Sequence, residues 1–373
     1  MIKRILEIKN LIERGKVLMI YGPRQVGKTT LIKSFLDKTK LKYRYDTGDS
    51  FEIANNLSQC TYKSTDEHVD KYDLIVIDEA QKIENIGNAL KLMVDRHPNK
   101  YYIVTGSSSF DLANKTDESL TGRKNVYTLY PISQTELNLD ISKSELKSNL
   151  EDYLIYGSYP EVLSKKISSD KELVIKMITN SYLIKDILEF NRIKNSQTIY
   201  KLLKLLAFQI GSEVSTTELA SQLSIDVKTV SYYLDLLQKS FVIFPLYGFS
   251  RNLRNEINKM NKYYFYDIGI RNALVSNFNK LDDRDDIGQI WENFIINERI
   301  KFNEYRKINA NYYFWRTYEQ QEIDLIEEGG GKLSGYELKW QKNNSKSPKL
   351  WLETYSNASF QEINKENYFD FVL

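Results

Sequence analysis

The sequence contains very little cysteine or histidine. Cys60 is the only cysteine among 373 residues, so the chain has no internal disulfide framework, and one free thiol suits a reducing compartment. The two histidines, His68 and His97, stand without neighbouring cysteines. Because zinc sites are built from closely spaced cysteine and histidine ligands, the sequence excludes a zinc cluster.

Long hydrophobic runs and a strong charge of one sign are also absent. No run of about 18 apolar residues occurs, and charges interrupt the apolar residues of the first stretch, MIKRILEIKNLIERGK, at short intervals. We therefore expect a cytoplasmic protein with no membrane span and no signal peptide. The formal net charge of +2 is too small to favour any class of partner.

The sharpest motif that is present follows a short apolar run, Val17 to Tyr21. It matches the Walker A spacing G-x-x-x-x-G-K-[ST], between a predicted strand and a predicted helix. The loop residues are Gly22, Pro23, Arg24, Gln25, Val26, Gly27, Lys28, Thr29 and Thr30. Glycines let backbone N–H groups surround phosphates at the positive end of the following helix. The loop predicts ATP binding, with Lys28 at the β- and γ-phosphates and Thr29 on Mg²⁺. A chance glycine turn before a helix is the alternative.

A second apolar run, Leu74 to Ile77, ends in two acids. Its continuous aliphatic residues are typical of a parallel strand buried on both faces. Open α/β sheets bind ligands at the carboxyl ends of such strands, where Asp78 and Glu79 follow. Beside a Walker A loop, Asp78 is predicted to complete the Mg²⁺ site and Glu79 to polarise the attacking water. Taken alone, the Asp-Glu pair could equally be a helix cap.

Two more residues are candidates for the same site. The apolar run Tyr101 to Val104 precedes a hydroxyl-rich turn, in which Ser107 is predicted to sense the γ-phosphate; a serine that caps the next helix is the alternative. Arg123 precedes a predicted fifth strand, Asn125 to Tyr130. It could stabilise transition-state charge in cis, or from a neighbouring subunit of a homo-oligomer. A solvated surface arginine is the alternative.

The motifs YGPRQVGKTTL, VIDEAQKI, VTGSSSF, SLTGRKNVYTLYPIS and YGSYPEV, in this order, resemble those of a large bacterial and archaeal family of AAA-superfamily ATPases with a carboxyl-terminal domain of unknown function. The resemblance extends over essentially the whole chain. It implies a P-loop sheet with the strand order 5-1-4-3-2 and a catalytic glutamate on the acidic strand, which corresponds to Glu79. It also implies a winged helix, but not what that winged helix binds.

Residues 196–275 have the pattern of a winged helix-turn-helix. A helix ends at Gly211, Ser215 and Glu218 form a predicted capping box, and Asp226 is the predicted N-cap of a longer second helix. The apolar run Phe241 to Tyr247 suggests a strand of the wing. The predicted DNA contacts are Lys228, Thr229, Ser231 and Tyr232 on the second helix, and Arg251, Arg254, Lys259 and Lys262 at the wing. Because that helix also carries acids, packing against another protein is the alternative.

The sequence of the last part of the chain predicts one helix followed by strands at 312–317, 322–326 and 333–340. The turn EEGGGK predicts that the last two strands form an antiparallel hairpin centred near Gly330. That centre puts Asp324 opposite either Tyr336 or Glu337. Side chains alternate between the faces of a sheet, so only the second register brings Asp324 and Glu337 to a shared face.

An acid on one strand and Glu-x-Lys on the next resemble the core motif of the PD-(D/E)XK nuclease fold, and Glu292 corresponds to that family's further acid on the preceding helix. On this resemblance Glu292, Asp324 and Glu337 are predicted Mg²⁺ ligands. Lys339 is predicted to orient or activate a water for attack on a phosphodiester. Alternating Glu and Lys residues also describe any half-exposed strand with a weak surface ion pair, which is the alternative.

Together these motifs predict an α/β multidomain protein in four segments. They are an ATPase domain at 1–140, a helical connector at 141–195, a winged helix-turn-helix at 196–275 and a nuclease-like domain at 286–373, which a polar linker, SNFNKLDDRDDIGQ, precedes. The leading hypothesis is an ATP- and Mg²⁺-dependent protein that acts on nucleic acid, with DNA the favoured form. The alternative is a nucleotide-dependent switch whose carboxyl-terminal modules bind a protein partner and cleave nothing.

Overall fold

The structure is a computed structural model that describes residues 2–107, 120–183, 196–250, 260–317 and 321–373. It divides into two compact units. The amino-terminal unit comprises Arg4–Tyr130 and Lys239–Phe241, and the carboxyl-terminal unit comprises Met1–Lys3, Pro131–Gln238 and Val242–Leu373. The three segments predicted after residue 140 therefore belong to one compact unit, apart from Lys239–Phe241.

Within its described residues, the amino-terminal unit contains a five-stranded sheet in the order β2-β3-β4-β1-β5. The strands are β1 (Val17–Tyr21), β2 (Tyr43–Thr47), β3 (Leu74–Asp78), β4 (Tyr101–Gly106) and β5 (Lys124–Thr128). All neighbouring pairs are parallel. Every residue of β1 and β3 is buried, as their unbroken apolar runs predicted. The order 5-1-4-3-2 implied by the family resemblance is confirmed.

Helices connect these strands. They are α1 (Ile8–Leu11), α2 (Lys28–Leu36), α3 (Phe51–Ser58), α4 (Tyr62–Val69) and α5 (Ile86–Arg96), and a short 3₁₀ turn spans Ala80–Lys82. Side-chain caps begin two of them, because Ser50 accepts the N–H of Ile53 and Thr61 accepts the N–H of Ser64.

The carboxyl-terminal unit begins with short helices. They are α6 (Gln134–Leu137), α7 (Lys143–Ser148), α8 (Leu150–Tyr156), α9 (Pro160–Leu163) and α10 (Ser168–Met177), followed by a π-helical turn at Ile178–Leu183. Capping boxes at Ser133 and Ser142 begin the first two. The rest of the predicted helical connector, residues 184–195, lies outside the described residues.

The next elements alternate helices and strands. They are α11 (Ser196–Phe208), β6 (Glu213–Val214), α12 (Thr216–Leu223), α13 (Val227–Lys239), β7 (Ile243–Gly248), β8 (Asn261–Phe265) and α14 (Ile268–Val275). Ser215 accepts the N–H of Glu218, and Asp226 accepts the N–H of Thr229, so both predicted helix starts are confirmed.

The chain ends with α15 (Ile287–Tyr305), β9 (Asn311–Arg316), β10 (Glu322–Gly329), β11 (Lys332–Leu338), α16 (Lys349–Thr354), β12 (Ala358–Ile363) and α17 (Phe369–Val372). In the described part of the unit, seven strands form one sheet in the order β12-β11-β10-β9-β7-β8-β6. Strand β7 joins its two halves, because it is antiparallel to β8 along Ile243–Leu246 and parallel to β9 at Tyr247 and Gly248.

The predicted polar linker at 276–289 is an ordered connection. Leu281–Asp283 form a 3₁₀ turn, and the next residue, Arg284, is buried. The Arg284 guanidinium donates to Asp286, which also accepts from Arg271. Charged residues suggested a solvated linker, whereas these ion pairs hold the segment against the unit.

Candidate functional site

The Walker A loop lies between β1 and α2, and backbone geometry explains its glycines. Gly22 has φ +147° and a Cβ there would stand 2.1 Å from the Leu129 carbonyl oxygen; Gly27 has φ +97° with open space beside it. Lys28 is buried, and its Nζ donates to the carbonyls of Gly22 (2.7 Å) and Pro23 (2.8 Å). The loop therefore curls around the lysine ammonium group at the amino end of a helix. Of its other residues, Val26 is buried, Arg24 and Gln25 are half-buried and Thr30 is exposed.

Asp78, at the carboxyl end of β3, accepts hydrogen bonds from three neighbours. Thr29 Oγ1 donates to Asp78 Oδ2 at 2.7 Å, and the Tyr45 hydroxyl donates to the same oxygen at 2.8 Å. The Thr105 hydroxyl donates to Oδ1. Thr29 and Asp78, predicted from separate motifs, are thus adjacent. Tyr45 and Thr105 were missed, because only the pairing of β2 and β4 with β3 brings them there.

Glu79 and Ser107 are linked by Gln81, which the sequence did not single out. Gln81 Nε2 donates to Glu79 Oε2 at 2.6 Å and to Ser107 Oγ at 3.0 Å. Glu79 has φ +51°, an uncommon left-handed conformation, and its N–H donates to Thr105 Oγ1 at 3.1 Å. The predicted base and the predicted phosphate sensor are therefore bridged by one buried amide.

Arg123 lies away from this site. The Arg123 carbonyl accepts the N–H of Val17, the first residue of β1. The Walker A loop follows Tyr21, the last residue of the same strand. Since a strand advances about 3.3 Å per residue, the length of β1 separates them by about 17 Å. The Arg123 side chain is half-exposed and paired with Asp95 at 2.7 Å. At this distance Arg123 does not reach a phosphate bound in its own subunit. Action on a neighbouring subunit stays a prediction, and a solvated surface arginine paired with Asp95 stays the alternative.

In the carboxyl-terminal unit, the hairpin of β10 and β11 has the register that the nuclease resemblance requires. Leu325 pairs with Tyr336, so Asp324 is level with Glu337. Asp324 Oδ2 accepts the N–H of Leu338 at 2.8 Å. Lys339 Nζ lies 2.7 Å from Glu337 and 4.0 Å from Asp324. The structure thus brings together the three predicted residues of the hairpin.

Helix α15 and strand β8 add further charged residues to the hairpin. The acidic cluster consists of Glu292, Glu322, Asp324 and Glu337, with Lys262 and Lys339 as its cations. Glu292 accepts from the Tyr264 hydroxyl and lies 3.4 Å from Lys262 Nζ, which also contacts Glu322 at 2.5 Å. Sequence reasoning missed Tyr264 and Glu322, since only the fold brings β8 to α15 and β10. Lys262, predicted to touch phosphates at the wing, is instead buried at 2% exposure, which corrects that prediction.

Burial and like charges shift the ionisation of the cluster. Burial raises the pKa of Glu292 to about 7 against the attraction of the Lys262 ammonium, and the Asp324 carboxylate adds to the rise. Burial also raises the pKa of Asp324. For Lys262 burial acts in the opposite sense, but the carboxylates of Glu292 and Glu322 prevail and raise its pKa. Lys262 is therefore a stable cation among acids.

The predicted metal ligands of the cluster do not form a metal site. Among the described residues, no group of three or more His, Cys, Asp or Glu side chains is placed to hold a metal ion. Glu292, Asp324 and Glu337 are near one another, but each carboxylate already accepts from a lysine, a tyrosine or a backbone N–H. The donor set does not fit Mg²⁺ in this arrangement, which corrects the prediction.

The predicted nucleic-acid contacts of α13 divide into two groups. Lys228, Ser231 and Tyr232 are exposed, whereas the Thr229 hydroxyl donates to Asp226 at 2.6 Å and serves the helix cap. The three wing residues Arg251, Arg254 and Lys259 lie outside the described residues. For the portions of the chain that the structure covers, no helix is both long and apolar enough to cross a bilayer.

Three family models match separate segments of the chain. Residues 14–138 match the model of a AAA domain, and residues 147–281 and 287–366 match two domains of unknown function, DUF8612 and DUF4143. The P-loop fold and these matches support an AAA-type ATPase with a carboxyl-terminal domain of unknown function.

Two similar whole proteins are each described as an uncharacterized protein. One from Mycobacterium tuberculosis is 26% identical over 344 residues, which cover 89% of this chain and 72% of the relative. One from Methanocaldococcus jannaschii is 24% identical, with 89% of this chain and 76% of the relative covered. Among solved structures, a RuvB variant of Thermotoga maritima aligns at 17% identity and a TM-score of 0.26, over 61% of this chain and 81% of that one.

Proposed function

We propose that the amino-terminal unit binds and hydrolyses ATP with Mg²⁺. The observation that carries the proposal is the 2.7 Å hydrogen bond from Thr29 to Asp78, because it joins the two oxygen donors that hold Mg²⁺ in P-loop proteins. When bound, Mg²⁺ would neutralise charge on the β- and γ-phosphates. Lys28 and the backbone N–H groups from Arg24 to Thr30 bind the phosphates.

Glu79 is proposed as the residue that orients and polarises the attacking water, and Ser107 as the γ-phosphate sensor. Gln81 supports these roles, since its amide contacts both side chains and fixes the carboxylate relative to the serine hydroxyl. A carboxylate held by one donor keeps its other oxygen for a water molecule.

The test compares Glu79→Gln with the exposed control Glu84→Gln. Glu79→Gln should keep ATP affinity and lose steady-state turnover, while Glu84→Gln should behave as wild type. Lys28→Ala should lose ATP binding itself. Normal turnover in Glu79→Gln would show that another group activates the water.

We further propose that the carboxyl-terminal unit acts on nucleic acid through a winged helix. The order α11, β6, α12, α13, β7, β8 and the antiparallel order β7-β8-β6 support that motif. Exposed Lys228 and Tyr232 on α13 are the candidate contacts. Lys228→Ala should weaken DNA binding and reduce its salt dependence, unlike the exposed control Lys201→Ala on α11. DNA affinity that ignores ionic strength would contradict phosphate contact.

The hairpin register of Asp324 and Glu337 supports a nuclease-like fold for the rest of this unit. The cationic partners of the cluster favour the second candidate function, a nucleotide-dependent switch that binds a protein partner and cleaves nothing. Purified protein with Mg²⁺, with and without ATP, should be incubated with single- and double-stranded DNA and RNA. Cleavage that Lys339→Ala abolishes supports a nuclease, and no cleavage of any substrate supports the switch.

Homo-oligomer formation is proposed from Arg123 alone. If Arg123 completes the nucleotide site of a neighbouring subunit, Arg123→Ala should lower turnover while ATP affinity persists. Mixing Arg123→Ala with Glu79→Gln should then restore part of the activity, because some mixed interfaces contain both intact groups. Two inactive variants that stay inactive in the mixture would contradict action between subunits.

A further inference from the structure

We propose that the ammonium group of Lys262 is the resident cation of the acidic cluster, and that its presence prevents this cluster from taking a divalent cation. The inference rests on the proposed nuclease-like fold, in which a divalent cation would be expected at the hairpin of β10 and β11. It concerns metal binding, so it is tested separately from ATP turnover, DNA binding and cleavage.

The surroundings of Lys262 are those of a bound cation. Its side chain is 3% exposed, and its Nζ lies 2.5 Å from Glu322 and 3.4 Å from Glu292. The same Nζ lies 5.3 Å from the centre of the Phe314 ring, within the range of a cation–π contact. Two carboxylates and an aromatic face replace the water that a lysine would otherwise keep.

Each carboxylate of the cluster already has a cation or a hydrogen-bond donor on one of its oxygens. Glu292 is engaged by Lys262 and Tyr264, Glu322 by Lys262, Asp324 by the Leu338 N–H, and Glu337 by Lys339. Arg316 lies at the edge, 4.0 Å from Glu322. A divalent ion would stand beside a buried ammonium and would compete with these donors for the carboxylates, so both repulsion and weakened hydrogen bonds oppose its binding.

Lys262 lies on β8, which β9 and β7 separate from the hairpin strands β10 and β11 in the sheet. The other groups belong to α15, β10 and β11. Gly211 borders the cluster on another side, where a Cβ would stand 3.1 Å from Glu292 Oε2. The cation is therefore supplied by β8, and a substitution of Lys262 removes this one charge while the carboxylates stay in place.

The experiment measures Mn²⁺ binding to the full, nucleotide-free chain from the loss of the free-ion electron paramagnetic resonance signal. The proteins are wild type, Lys262→Met, the charge-conserving control Lys262→Arg, Asp324→Asn and the double variant Lys262→Met with Asp324→Asn. Asp324→Asn identifies ions that belong to the cluster, because Mn²⁺ held at Asp78 or on the surface is unaffected by it.

Wild type, Lys262→Arg and Asp324→Asn should give the same titration. Lys262→Met should bind one additional Mn²⁺ per chain, at least about tenfold more tightly than any cluster binding by wild type, a difference of about 1.4 kcal/mol. The double variant should lose that ion. Circular dichroism shows whether Lys262→Met folds, and Lys262→Gln, which keeps a hydrogen-bond donor, replaces it if it does not.

Two results would overturn the proposal. One is a Mn²⁺ ion that wild type binds and Asp324→Asn does not, since the cluster would then hold a metal beside Lys262. The other is a folded Lys262→Met or Lys262→Gln protein that titrates as wild type. If neither variant folds, the comparison of wild type with Asp324→Asn decides alone.

Discussion

Thr29 Oγ1 donates a hydrogen bond of 2.7 Å to Asp78 Oδ2, and this contact joins the first turn of α2 to the end of β3. The two residues are separated by 49 positions in the chain. Since β4 lies between β1 and β3 in the sheet, the contact spans the centre of the amino-terminal unit. The two oxygen donors are thus preorganised before any ion arrives.

Thr29→Val should remove one of these donors while conserving the shape of the side chain. We expect ATP hydrolysis to fall by about a hundredfold, because loss even of a group that only supports a metal ligand costs about 10- to 100-fold. Mg²⁺ dependence of turnover should shift to higher concentration. The exposed residue Thr217, on α12, provides the matched control Thr217→Val. Unchanged Mg²⁺ dependence in Thr29→Val would contradict the assignment.

Gln81→Ala should lower turnover by about tenfold without weakening ATP binding, because a misplaced general base reduces the rate and leaves ground-state contacts intact. Turnover and ATP affinity are measured separately, with exposed Gln59→Ala as the control. Ser107→Ala, alone and with Gln81→Ala, adds a double-mutant cycle. Strictly additive effects would mean that Gln81 and Ser107 do not act together.

Gly22→Ala should disrupt the amino-terminal unit far more than Gly27→Ala. Both glycines have positive φ, which strains an alanine by about 1–3 kcal/mol, but only at Gly22 would the Cβ also meet a backbone oxygen, at 2.1 Å. ATP affinity and thermal unfolding by circular dichroism report the difference. Gly288→Ala, in open space on α15, is the control. Equal effects at the two loop glycines would refute the steric explanation.

Asp267 should make the carboxyl-terminal unit less stable as pH rises. Burial raises its pKa from 3.8 to about 6, despite the N–H groups of Ser158, Ile270 and Gly269. Because the folded chain holds this proton more tightly than the unfolded chain, the contribution is complete below about pH 4 and is lost as pH rises through about 6, at up to about 3 kcal/mol.

The measurement follows urea unfolding by tryptophan fluorescence at several pH values between about 4 and 7. All four tryptophans lie between residues 291 and 351, so the signal reports this unit. Asp267→Asn should remove the pH-dependent component, whereas exposed Asp282→Asn should retain it. An identical pH profile for wild type and Asp267→Asn would rule out the shift.

The nucleotide site was predictable because its signals are local. A glycine loop and an acidic strand each occupy one short stretch, and parallel strands align their carboxyl ends at one edge. The same rule puts Arg123 at the other edge of the sheet, because it precedes its strand. Gln81 follows Glu79 by two residues, but its role depends on a 3₁₀ turn that the sequence did not predict.

The acidic cluster was predictable only in part. Turn glycines near Gly330 determined the hairpin register, and therefore the meeting of Asp324 with Glu337. The position of Lys262 depends on how β8 and α15 pack, which no periodicity encodes. A basic residue on a predicted wing was expected to face phosphate, yet Lys262 is buried beside Glu292 and Glu322.

The pairing of β7 with both β8 and β9 limits how the chain can be dissected. A fragment cut near residue 286 would leave β9 with an open edge and expose the apolar cluster around Trp315 and Trp351. We expect such halves to aggregate on expression, however well each matches a separate family model. The smallest carboxyl-terminal piece worth purifying therefore begins near Pro131 and runs to Leu373.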